Sequence, residues 1–140
     1  LGVNRITINE YLAFLEGTYF ISLVSPHSTN RDTEIRGAKK VYLCDTGLLN
    51  TLGKAEFGAV FENMIFHQLK NFGEVKYYQR KSLVEMDFVV NGKESWEVKT
   101  RASAQDLRRV KRLSGELGLE QNHVLSFEWV DLPVLYGFQI

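Results

Sequence analysis

Two spacings of apolar residues alternate along this chain, and each change of spacing predicts a new element. Tyr11, Leu12, Phe14 and Leu15 recur at helical intervals after Thr7-Ile8-Asn9-Glu10, a pattern that predicts a capping box with Thr7 at the N-cap and Gly17 as the stop. Tyr19 to Val24 and Lys40 to Cys44 read as strands. Between them Ser25 to Lys39 is polar and carries Pro26, Asn30, Asp32 and Gly37, as a loop or hairpin tip would. Asp45 or Thr46 caps a short helix running to about Leu52, and Gly53 to Glu56 is the predicted boundary between segments 1–54 and 55–140.

From Gly58 to Asn71 the pattern is helical again, with Gly73 as the stop. At about 100° per residue Phe61, Ile65, Phe66, Leu69 and Phe72 share an arc, and Asn63, His67, Lys70 and Asn71 fall opposite. Glu62 is the misfit, an acid inside the apolar arc. It must reach water, pair with a structural lysine, or meet the charged face of the hairpin that follows. Val75 to Arg80 is strand-like. Ser103-Ala104-Gln105-Asp106 predicts a second capping box, opening a helix that buries Leu107, Val110, Leu113 and Leu117 and ends at Gly118. His123 to Phe127 is a strand, and Pro133 to Ile140 is extended. The order after Gly58 is helix, three strands, helix, strand, which predicts an α/β fold with a mixed sheet flanked by helices.

The two strands within Val84 to Thr100 surround Asn91-Gly92, a strong hairpin signal. A two-residue turn would mix Val84, Met86, Phe88 and Val90 with Lys93, Ser95, Glu97 and Lys99 on one face. A three-residue loop of Asn91, Gly92 and Lys93, or one added bulge, sets Asp87 opposite Glu97 and Glu85 opposite Lys99. Val84, Met86, Phe88, Val90, Trp96 and Val98 then form a core face, and Glu85, Asp87, Glu97 and Lys99 gather on the other. That second face is either the wet side of an antiparallel sheet or a site.

Composition narrows the function. The chain has 140 residues, 44% hydrophobic and 24% charged, with zero formal net charge, so nothing advertises a nucleic-acid partner globally and any such site must be local. Arg101, Arg108, Arg109, Lys111 and Arg112 form the one basic cluster, either a solvated helix face or a seat for a phosphate backbone. The apolar runs are too short to span a membrane and no leader pattern is present. The single Cys44 sits in a strand-like run, predicting a small core residue and a reducing cytoplasm. The chain begins with Leu1, which predicts a fragment, and no G-x-x-x-x-G-K-[ST] loop occurs.

The layout of Glu62 on a helix, Asp87 on one strand and Glu97-Val98-Lys99 on the next resembles the PD-(D/E)XK superfamily of restriction-endonuclease-like nucleases. More closely, K-V-Y-L-C-D-T-G-L-L, G-A-V-F-E-N-M-I-F-H-Q-L, E-M-D-F-V-V and W-E-V-K resemble an uncharacterised C-terminal domain that follows the ATPase module of many prokaryotic AAA-type ATPases; the likeness spans about Thr7 to Phe127. The first 54 residues either resemble the end of a winged helix, with Ser25 to Lys39 as its wing, or are a helix and hairpin that simply pack on the next domain. The resemblance implies a Mg²⁺-dependent endodeoxyribonuclease, with Mn²⁺ as a substitute, DNA as the partner and an upstream ATPase module missing from this chain. It implies that Asp87, Glu97 and the Val98 carbonyl hold the ion, that Glu62 contributes through water, and that Lys99 orients the water or stabilises charge on the phosphate. Two features depart from the superfamily pattern: Met86 stands where its name has proline, and Gln105 is followed four residues later by Arg109 instead of tyrosine. The alternatives are a catalytically inactive module that binds DNA or protein and regulates its ATPase, and a scaffold in which Glu62, Asp87, Glu97 and Lys99 form a buried ion network.

Overall fold

The computed structural model describes residues 4–80 and 84–140. Five strands, β3 (Val75–Gln79), β4 (Glu85–Val90), β5 (Glu94–Lys99), β6 (Gln121–Ser126) and β7 (Leu135–Tyr136), form one mixed sheet in sequence order. The first three are antiparallel and the last two join in parallel. Helices α4 (Phe57–Leu69) and α5 (Ala104–Leu117) cover opposite faces, so the chain is mixed α/β with a helix-flanked sheet.

Each face has its own core. Phe61, Ile65, Phe66 and Leu69 of α4 pack on Phe88, Val90, Trp96 and Val98, whereas Val110 and Leu113 of α5 pack on Met86, Val89 and Val124. The predicted pairing of β4 with β5 is present: Val90 faces Glu94 across a loop of Asn91, Gly92 and Lys93, and Phe88 faces Trp96. Met86 is a correction. The register of β3 against β4 shifts between Lys76 and Tyr78, where β4 spends one residue more than β3, and this bulge turns Met86 toward α5 while Phe88 stays toward α4. The second face is accordingly not wet, because α5 lies on it.

Glycine is required where α4 gives way to β3. Gly73 has φ +147°, and a Cβ there would stand 2.0 Å from Asn91 Oδ1. The Asn91 side chain accepts from Glu74 N (3.0 Å) and donates to the Phe72 carbonyl (3.1 Å), tying the hairpin turn to the end of α4.

Ahead of the sheet come α1 (Arg5–Gly17), β1 (Ile21–Val24), α2 (Arg31–Arg36), β2 (Lys40–Leu43) and α3 (Thr46–Gly53). The first helix is capped by Asn4, which accepts from Ile6 N at 3.1 Å, not by Thr7. The polar tip contains α2, capped by Asn30. Strands β1 and β2 form a hairpin whose Val24 and Tyr42 enter the core beneath α4.

That hairpin explains two further departures on α4. Asn63, expected on the polar side, is 2% exposed: it accepts from Leu43 N (3.0 Å) and donates to the Leu43 carbonyl (3.2 Å), extending the edge of β2. His67 is half-buried with Nε2 2.6 Å from the same carbonyl, and Phe72 is exposed. Cys44 is exposed as well, because β2 ends at Leu43 and the chain turns into α3, ending the strand's alternation. Asn63→Leu would leave the Leu43 N–H without its partner. It should cost about 1.5 kcal/mol in urea unfolding, and a loss under half that would mean the hairpin edge is carried by other contacts.

Among the described residues no helix is long and apolar enough to cross a membrane.

Candidate functional site

Asp87 lies at the bulge in β4, and the charges of Glu97 on β5 and Glu62 on α4 both act on it. Glu97 points from the middle of β5 toward α5 and is 2% exposed. A charge so enclosed needs partners. Its Oε1 takes Lys99 Nζ at 2.7 Å and the Arg109 guanidinium. Its Oε2 is buried and has no hydrogen-bond partner among the described residues.

Asp87 sits on the bulge, and its Oδ2 accepts from Val98 N at 2.8 Å, in the place of a ladder bond. Burial, then the charges of Glu97 and Glu62, push its carboxyl up to about 7, against the lowering effects of the Val98 N–H and of Lys99. The residue as a whole keeps some surface, but its carboxyl group is enclosed.

Glu62 leaves the apolar arc of α4 toward the same region. Its Oε1 accepts from Tyr42 Oη at 2.6 Å and pairs with Lys40 Nζ at 3.3 Å; Lys40 also pairs with Glu85. The structural-lysine pairing is therefore realised, and the charge of Glu62 acts on Asp87. Burial alone would lower Lys40, but Glu62 and Glu85 outweigh it and hold the ammonium above its ordinary value. The same balance, with Glu97 as the main partner, raises Lys99. Burial and the charge of Glu62 push the Tyr42 hydroxyl far up, leaving it a donor.

Glu62, Asp87, Glu97 and Lys99 thus belong to one connected group of charges, with Glu85 at its edge. Lys40 and Tyr42 join it from β2, two residues apart on one strand. They stand in the K-V-Y-L-C-D run but are not among the predicted site residues, because only the docking of the hairpin brings them to α4.

The basic cluster is divided. Arg109 turns inward, donating to Glu97 and, at 3.0 Å, to the Glu85 carbonyl. Arg101 pairs with Glu128 at 3.4 Å and Arg112 with Glu116 at 3.8 Å, both outside the acid group, whereas Arg108 and Lys111 are exposed on α5. The capping box that starts this helix is present: Ser103 and Asp106 bond each other's backbone N–H, which fixes where the Arg109 turn falls.

In kind, the donors suit a hard divalent cation: carboxylate oxygens, one of them a buried acceptor without a partner among the described residues, and an aspartyl group driven up by burial and then by its neighbours' charge. In arrangement, the acids are turned to Lys40, Lys99 and Arg109, and among the described residues no three His, Cys, Asp or Glu side chains stand together as an ion's ligands.

A family model described as a domain of unknown function (DUF8612) matches residues 1–58, from α1 into the first turn of α4. No curated protein and no solved structure matches the chain. The part similar to that family supplies Lys40 and Tyr42, and the four acids and Lys99 lie beyond it.

Proposed function

We propose that this chain is a restriction-endonuclease-like, Mg²⁺-dependent phosphodiesterase domain acting on DNA, with Mn²⁺ able to substitute, and that it serves an ATPase module encoded upstream. The observation that carries the reading is the buried Oε2 of Glu97, without a partner among the described residues, beside a raised Asp87 and a charged Lys99. A bound divalent ion would supply a polarised water and a counter-charge for the phosphate.

The protein's own residues do the rest. Asp87, Glu97 and the Val98 carbonyl would hold the ion, and Glu62 would reach it through water. Lys99, kept as an ammonium by Glu97, donates to a phosphoryl oxygen as charge develops there. An ammonium held this firmly is a poor proton acceptor, which favours charge stabilisation over general-base work. Arg109 fixes Glu97 from the other side.

Purified protein with Mg²⁺ or Mn²⁺ should convert supercoiled plasmid to nicked or linear DNA, and Lys99→Ala should not. Uncut plasmid, or a Lys99→Ala variant that cuts as well as the parent, would remove the reading.

One observation favours a second reading. Helix α1 has no buried residue and exposes Ile6, Ile8, Tyr11 and Phe14, as an element that regulates through a bound partner would. A catalytically inactive module predicts DNA mobility shifts, or association with the ATPase, that need no metal and persist in Asp87→Asn.

A further inference from the structure

One cation of the acid group comes from the hairpin and not from the sheet. Lys40 on β2 brings its ammonium to Glu62 Oε1 at 3.3 Å and to Glu85, and its Nζ lies 5.5 Å from the centre of the Tyr77 ring. Tyr42 donates to the same Glu62 oxygen. Alternate residues of a strand share a face, so these two side chains arrive together and leave together with β2. Glu62 is therefore held toward β2 by a donor pair on a separate sheet, whose other ties to α4 include the Asn63 and His67 contacts at Leu43.

We propose that Lys40 is a built-in counter-cation for Glu62 and Glu85, that a divalent ion competes with its ammonium for Glu62, and that ion loading and hairpin seating are therefore linked. This rests on the divalent-ion reading above. Lys40 is a positioning residue: with its ammonium in place Glu62 is turned to β2, and without it Glu62 is free to turn to Asp87. Linkage is reciprocal, so whatever loosens β2 raises ion affinity, and a bound ion loosens β2. The segment similar to DUF8612 would in this way set the ion occupancy of the rest of the chain.

The test is calorimetric titration of the whole chain with Mn²⁺, on the parent, Lys40→Met, Lys40→Arg and Asp87→Asn. Removing one partly exposed ammonium should tighten Mn²⁺ binding about five- to tenfold in Lys40→Met. Lys40→Arg, which keeps the charge, should bind like the parent. Hydrogen exchange on the parent gives a readout that depends on no variant folding: amides of 40–43 should exchange faster in saturating Mg²⁺ than without it. Lys40→Met binding no tighter than the parent, or exchange at 40–43 unchanged or slowed by Mg²⁺, overturns the competition while leaving the ion reading in place, provided Asp87→Asn has lost the heat. No heat from any of the four proteins overturns the ion reading and the competition with it.

Discussion

Arg109→Met should be the most destabilising single change at the site, lowering the free energy of unfolding by about 3 kcal/mol in a urea titration at neutral pH. Glu97 is 2% exposed, and its two cationic partners, Arg109 and Lys99, share one oxygen. Removing the guanidinium leaves a buried carboxylate to a single ammonium, with Oε2 still unpartnered, and also frees the Glu85 carbonyl that Arg109 Nη1 holds at 3.0 Å. Methionine keeps most of the stem's volume, so the loss reports charge more than packing. The double variant Arg109→Met with Glu97→Gln separates the two causes. If an uncompensated charge is responsible, neutralising it should recover at least half the loss; if the double variant is no better than Arg109→Met, the effect was packing. A single-variant loss under about 1 kcal/mol would mean that Glu97 finds water and is not enclosed as described.

Arg109 also shows where sequence reasoning stops. Its neighbours Arg108, Lys111 and Arg112 occupy the outer side of α5, and spacing alone groups all four as one basic face. Arg109 lies at the edge of that face, and only the packing of α5 against β5 decides that it turns inward. The register of β4 on β5 was legible, because only one loop length separates apolar from charged positions across that pair, and the structure has Phe88 opposite Trp96 as that loop requires. The bulge was not. It is set by β3, whose pairing with β4 leaves no mark in the alternation, and it moves Met86 to the opposite core. Glu62 was legible as an anomaly because an acid within an apolar arc demands a partner. The identity of that partner was not, since Lys40 is 22 residues away on a strand of a different sheet. Local pattern predicted the elements of the sheet and the misfits but not α2 in the polar tip, and long-range docking supplied the partners.

Asp87→Asn should stabilise the protein at pH 8 by about 2 kcal/mol and leave it nearly unchanged near pH 4. The carboxyl moves from 3.8 to about 7 on folding, driven by burial and then by Glu97 and Glu62. Between those values the native state holds a proton that the unfolded chain has released, so stability falls as pH rises from about 4 to about 7 and is level above that window. That move sets a ceiling of ~4 kcal/mol, part of which is shared with the neighbouring acids. Asparagine keeps an oxygen for the Val98 N–H, now at 2.8 Å, and removes the charge that the enclosed site disfavours. The melting temperature at pH 8 should rise by roughly 6 °C, and the downward slope of the parent between pH 4 and 7 should flatten in the variant. A variant that instead melts lower at pH 8 would show that Lys40, Lys99 and Arg109 more than compensate Asp87. The acids would then be a satisfied ion network, and crowding that a divalent cation could relieve would not exist.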